Sequence, residues 1–256
     1  MENILDDYAH TNGLREVDTR VKLLLGAGCI LIGVMSQTPY APLFIGLSLG
    51  CATVLLARIP TGIYLRLLAI PASFAVTSCI VILLLTGGGE LLREWSVFGL
   101  HLAVTTESTD LALLLLARTF GGMSALYFIA LTTPAVELFA VMRQLHLPQE
   151  FIDLSMLIYR YIFILIGEAI AIRNAQVMRF GYTTFRNSLS AFSMLAAMLF
   201  LRSWEKGEDL LRAMDARCYD GKLNVMDQEG RIPRGALLSV AVYLCICIAF
   251  MVIPGG

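Results

Sequence analysis

Apolar residues in this chain fall in long unbroken runs rather than in alternation, and the run lengths set the reading. A helix crossing a bilayer needs about 17 to 25 mostly apolar residues. Five stretches meet that need: VKLLLGAGCILIGVMSQ at 21–37, APLFIGLSLGCATVLLA at 41–57, LLAIPASFAVTSCIVILLL at 67–85, LALLLLARTFGGMSALYFIALTT at 111–133 and GALLSVAVYLCICIAFMVI at 235–253. Asp18 is placed to cap the first, and Arg20 and Lys22 mark its membrane edge. Thr38-Pro39-Tyr40 turns the chain into the second, and Pro71 predicts a kink early in the third. Small residues predict close helix approach in lipid: Gly46 and Gly50 in the second stretch, and Gly121, Gly122, Ser124 and Ala125 in the fourth.

A polar interruption, residues 134–234, separates the fourth stretch from the last. It holds two further apolar runs, 152–172 and 189–201. The second is short for a span. The first carries Asp153, Arg160 and Glu168, and a charge at mid-bilayer costs at least about 2.5 kcal/mol. Both are expected at the interface or packed under the bundle.

Basic residues orient the chain. Arg15, Arg20 and Lys22 precede the first span, Arg58 and Arg66 join the second to the third, and the interruption is Arg-rich from Arg143 to Arg234. Only Arg93 falls on the opposite side. Five spans with the N-terminus and the interruption in the cytoplasm and the C-terminus outside follow from the positive-inside tendency. Spanning by both extra runs would export Arg173, Arg179 and Arg186 together.

Inside the interruption the pattern is helical. Thr133-Pro134 opens a helix that runs to about His146, where Leu147-Pro148 stops it. A long helix covers about Gln149 to Arg179, with Gly181 as its C-terminal glycine. A third covers 189–201, and a fourth opens near Ser203 with the i, i+4 pair Glu208–Arg212. Asp220-Gly221 ends that helix, and a polar link leads to the last span. The fold class is all-α: one polytopic membrane domain over 1–256, comprising membrane helices in 1–133, a helical coupling region in 134–234, and a last membrane helix at 235–253.

Composition agrees. The chain is 57% hydrophobic and 15% charged, against about 25% charged in soluble domains. A net charge of -1 gives no sign of nucleic-acid binding. The start, MENILDDYAH, has neither the basic nor the apolar region of a secretory signal. Cys29, Cys51, Cys79, Cys245 and Cys247 lie in apolar runs and are expected to pack; Cys218 lies in the interruption. His10, His101 and His146 occupy separate loops, so no metal or catalytic cluster is expected. No phosphate-binding loop occurs, and Gly87-Gly88-Gly89 lacks the following Lys. Arg118, the one charge deep in a span, reads either as a helix-to-helix hydrogen-bond donor or as a substrate-path residue. Asp153 and Arg160 are expected to pair along one helix face.

Two arginine phrases in the interruption echo each other: Ala175-Gln-Val-Met-Arg179-Phe-Gly181-Tyr182 and Ala213-Met-Asp-Ala216-Arg217-Cys-Tyr219. Each has Ala one helical turn before Arg. Either these are arginines suited to helix C-termini and lipid head groups, or they dock into partner grooves, where the guanidinium fork can engage a carboxylate.

The chain resembles the CbiQ and EcfT family, the transmembrane (T) components of energy-coupling factor transporters, over nearly its whole length. The likeness rests on Asp7–Asn12, on Asp18–Leu23 (with Thr19 where Pro is usual), on Thr132–Leu138, on Leu145–Pro148, on Tyr159–Ile162 with Glu168, and on Ala213–Gly221. Met178, Phe180 and Cys218 depart from the Ala-Arg-Gly pattern. The resemblance implies a non-enzymatic scaffold that couples two ABC-type ATPase subunits to a separate substrate-binding membrane subunit. That subunit would be CbiM-like, and the assembly admits a CbiN-like small subunit. Arg179 and Arg217, with Ala175, Gly181, Ala213 and Ala216, would be the ATPase-coupling residues. Arg118, Asp153, Arg160 and Glu168 would serve structure or coupling. ATP would sit on the partners and the cobalt or nickel ion on the substrate subunit, with no cofactor, catalytic residue or metal held by this chain. A self-contained carrier with a site near Arg118 and a polytopic membrane enzyme are the other two classes.

Overall fold

A computed structural model describes residues 8–9, 12–15, 17–85, 91–97, 100–144, 147–219 and 234–252. His10, His146, Gly87–Gly89, and Asp220-Gly221 with most of the polar link lie outside the described residues. The chain divides into two compact units, Met1–Leu138 with Glu229–Gly256, and Phe139–Gln228.

In the first unit, α1 (Thr19–Met35) opens on Asp18, whose carboxylate accepts from the Arg20 N–H at 2.9 Å. Helix α2 (Tyr40–Cys51) runs into a π-helical turn, Ala52–Leu56. Helix α3 (Thr61–Leu85) is helical through Pro71 and starts earlier than the predicted residue 67. Strands β1 (Leu91–Val97) and β2 (Leu100–Thr105) form an antiparallel hairpin where only a loop was expected. The signal was present in β2, where Leu100, Leu102 and Val104 alternate with His101, Ala103 and Thr105. Helix α4 (Thr106–Thr132) is started by a capping box. The Ser108 N–H donates to Thr105 Oγ1 at 3.2 Å, and the Thr105 N–H donates to Ser108 Oγ at 3.0 Å. The last helix, α8 (Arg234–Val252), is apolar throughout most of its length.

Helix α4 is the centre of this unit, packed against α1, α2 and α3, while α8 packs on α1 and α2. Cys29, Ile45, Leu49, Ala125, Phe128 and Cys247 form one core, and Ala57, Ile59, Tyr64 and Leu131 a second. The small residues act as expected at two positions. A Cβ on Gly46 would collide with the Phe120 ring, and one on Gly121 would lie 2.5 Å from the Pro42 carbonyl oxygen. Gly122 faces open space instead. Leu31, Leu47, Leu55, Ile70 and Phe74 point outward, as an apolar bundle does when its solvent is lipid.

In the second unit, α5 (Ala135–Gln144) contributes its residues from Phe139 onward, followed by α6 (Gln149–Met178) and α7 (Phe185–Asp215). The third and fourth predicted helices are one. Nothing between Leu201 and Ser203 breaks the backbone, and the Ser203 hydroxyl donates to the Phe200 carbonyl at 2.8 Å. The Trp204–Glu208 pair (2.9 Å) bridges Gly207, and Arg212–Glu208 (3.2 Å) follows it one turn on. Few side chains here are buried: Ile152 and Asp153 in α6, and none in α7.

Helices Thr61–Leu83, Thr106–Thr132 and Gln149–Met178 are long and apolar enough to cross a membrane, and Tyr40–Leu56 and Gly235–Met251 are shorter apolar helices. The fold is that of an all-α polytopic membrane protein carrying one small hairpin.

Candidate functional site: two matched helix ends

Helices α6 and α7 end in the same way. At the end of α6 the Gly181 N–H donates to the Gln176 carbonyl at 2.9 Å and the Phe180 N–H to Val177 at 3.0 Å. At the end of α7 the Tyr219 N–H donates to the Met214 carbonyl at 3.1 Å and the Cys218 N–H to Asp215 at 3.0 Å. This nested pair of bonds is the Schellman motif, whose turning residue adopts the left-handed conformation. That residue is Phe180 in one end (φ 58°) and Cys218 in the other (φ 55°). Position for position, Arg179 matches Arg217, Met178 matches Ala216, and Gly181 matches Tyr219. Each arginine directly precedes its left-handed residue, and both are exposed. Ala175 and Ala213, also exposed, lie one turn earlier.

Gly181 therefore follows the left-handed residue rather than supplying it. Its smallness has a different use, since a Cβ there would meet the Gln176 carbonyl oxygen at 3.0 Å and Ala191 Cβ at 3.5 Å. Glycine lets the turn close against α7. An L-residue held left-handed costs about 1–2 kcal/mol, and both ends carry that cost.

Gln176 clamps the first end. Its Nε2 donates to the Ala191 carbonyl at 2.9 Å, and its Oε1 accepts from the Tyr182 hydroxyl at 2.8 Å. Gln176→Ala removes both bonds, at about 1 kcal/mol or somewhat more. Faster amide exchange confined to residues 179–184 is the expected readout, and unchanged protection there would exclude the clamp.

The other sequence candidates separate. Asp153, 3% exposed, bonds Arg143 at 3.1 Å instead of Arg160. Seven residues advance a helix by about 10 Å, too far for a direct pair, whereas α5 folds back beside Asp153. Arg160 is exposed. Glu168 pairs with Arg202 at 2.6 Å, joining α6 to α7. Arg118 directs Nε (3.1 Å) and Nη2 (2.5 Å) at the carbonyl of Ser36, which closes α1. Its fork thus satisfies a helix end, the first of its two sequence readings.

One polar cluster escaped the sequence. Lys22, placed at a membrane edge by its position, is 3% exposed, and its Nζ donates to the Thr132 carbonyl at 3.0 Å. Asn12 Nδ2 donates to the same oxygen at 3.2 Å. The Thr19 hydroxyl donates to Glu137, which gives this threonine a partner that Pro could not supply. The end of α4 is thereby tied to the start of α1. No periodicity signals such a meeting of distant segments. Among the described residues, no group of three or more His, Cys, Asp or Glu could hold a metal ion.

Comparison with known proteins decides the family. The CbiQ family model, described as "Cobalt transport protein", matches residues 10–227. The chain belongs to the CbiQ family. A relative in Methanocorpusculum labreanum named "Putative fused cobalt transport protein CbiMQ" is 51% identical over 250 residues, covering 97% of this chain. The chain spans only 41% of that fused relative's length. "Cobalt transport protein CbiQ" of Salmonella typhimurium is 28% identical over 172 residues, 66% of this chain and 76% of its own. "Energy-coupling factor transporter transmembrane protein EcfT" of Bacillus selenitireducens is 27% identical over 215 residues, 81% of this chain and 80% of its own. CbiQ proteins are membrane components of transporters, not enzymes.

Proposed function

We propose that the chain is the coupling subunit of an ATP-driven importer for cobalt or nickel ions. The observation that carries this reading is the pair of matched helix ends, each presenting an exposed arginine on the same Schellman turn. Two equal backbones presenting the same side chain fit two copies of one kind of partner site. The partners are two ABC-type ATPase subunits, each offering a carboxylate to Arg179 or Arg217. Closure of the ATPase pair on ATP moves the two ends, and the helices behind them carry the motion to the membrane. The ion is held by a separate membrane subunit. The CbiM half in the name of the fused relative supports a CbiM-like identity for it, with a CbiN-like small subunit admitted. The chain itself holds neither ATP nor metal.

The protein resides in the cell membrane, with 1–133 and 235–253 as its membrane part. The coupling region, 134–234, lies in the cytoplasm with the N-terminus, as the basic residues direct. Helix α6 has the length and apolarity to span, but a spanning α6 would carry Arg179 out of the cytoplasm, and an α7 that crossed back would then leave the two arginine ends on opposite faces of the bilayer. The sparsely buried faces of α6 and α7, with Ile164, Ile170, Phe192 and Met198 exposed, then lie against lipid head groups or the substrate subunit.

Affinity purification of the tagged chain from cells expressing the whole transporter tests the assignment. An ABC-type ATPase is expected to be retained at two copies per chain. Retention of the substrate subunit with no ATPase would contradict it.

A further inference from the structure

We propose that the two ends are unequal: Phe180 is an apolar wedge that makes the Arg179 end the primary ATPase anchor, while the Arg217 end is the weaker contact. The inference rests on the coupling reading above and names what distinguishes its two sites. Because the turns share one hydrogen-bond pattern and nearly one φ, the differences between them lie in side chains.

At the first end Met178 is 81% exposed and Phe180 77% exposed, flanking Arg179. At the second end the equivalent residues are Ala216 and Cys218, neither of which offers comparable apolar surface. Charge differs in the same sense. From Ala169 to Arg186 the chain carries Arg173, Arg179 and Arg186, all exposed, and no acidic residue. From Glu205 to Tyr219 it carries Glu205, Glu208, Asp209 and Asp215 against Lys206, Arg212 and Arg217, and Arg212 is already tied to Glu208 and Asp209. The first end therefore complements an acidic groove with an apolar wall. The second complements a single carboxylate. Holding an aromatic residue left-handed and exposed is unfavourable for the chain alone, so a partner surface that covers the ring gives the residue its use.

A lipid surface is the competing occupant, since phosphates also attract arginine clusters. An anionic lipid surface lying under both ends would repel Glu205, Glu208, Asp209 and Asp215 around Arg217. The ATPase is therefore favoured.

The test uses the full chain in nanodiscs of neutral phosphatidylcholine, titrated with the ABC-type ATPase that co-purifies with it. Phe180→Gly suits the left-handed turn, so its thermal midpoint is expected to rise while its ATPase affinity falls about tenfold or more, as loss of a buried Phe side chain predicts. Cys218→Gly is expected to raise the midpoint and leave affinity within about twofold. A structural role alone would move stability and affinity together. Unchanged affinity in Phe180→Gly beside a clear loss in Arg179→Glu would overturn the wedge while sparing the coupling reading. Unchanged affinity in Arg179→Glu would overturn both. Loss of binding to vesicles of anionic phospholipid in Phe180→Gly, with ATPase affinity intact, would give the wedge to the membrane and also overturn the proposal.

Discussion

Arg179→Glu is expected to abolish ATP-dependent uptake and ATPase retention, while leaving ion binding by the partner membrane subunit intact. On the proposed coupling role, the wild-type guanidinium makes a charge-assisted bond to a partner carboxylate in a groove that excludes water. Truncating one member of such a pair costs about 2–5 kcal/mol, or roughly thirty- to several-thousand-fold in affinity. Charge reversal adds repulsion to that loss. Arg217→Glu acts in the same direction with a smaller effect, because fewer uncompensated basic residues surround it. The chain should still fold in both variants, since each arginine is exposed and its turn is held by backbone bonds. Pull-down and uptake on the same preparations check this, and undiminished uptake in Arg179→Glu would be incompatible with it.

Gly121→Ala is the second large effect, and it acts on the fold. A Cβ at residue 121 would lie 2.5 Å from the Pro42 carbonyl oxygen and 3.2 Å from the Pro42 Cα. These are backbone atoms, which no rotamer change can clear, so α2 and α4 must separate. Overpacking of this kind costs about 1–3 kcal/mol. Separation would also disturb the Tyr64–Ser124 hydrogen bond (3.1 Å) and the core around Ile45 and Ala125. Gly122→Ala meets nothing within 4 Å and should be neutral or stabilising, by up to about 1 kcal/mol, because alanine favours the helix. Thermal unfolding of the two neighbouring variants in one detergent compares them directly. Equal midpoints would rule out the α2–α4 contact as the cause.

The apolar helices were legible because length and apolar content are local properties. Each of the five apolar stretches is helical over most of its length. The junction of α7 was misread because its composition turns from apolar to charged near Ser203, and a change of composition is not a break in the backbone. The arginine phrases were recognisable as a pair, but their turning residues were not. Glycine is the ordinary left-handed residue, so Gly181 drew the assignment that belongs to Phe180. The matching role of Cys218 was hidden for the same reason, since a departure from glycine conceals the conformation that glycine would have announced. Ionic partners were least legible. Asp153 with Arg143, Glu168 with Arg202, and Lys22 with the Thr132 carbonyl each join different helices, and only the tertiary arrangement brings them together.

The most direct measurement is uptake of cobalt into proteoliposomes rebuilt from purified subunits. With the chain, its ABC-type ATPase and its substrate-binding membrane subunit present, uptake is expected only when ATP is supplied on the ATPase side. Omission of the chain should leave ATP hydrolysis without uptake. Cobalt accumulation by the chain alone, without ATPase or substrate subunit, would contradict its role as a coupling subunit.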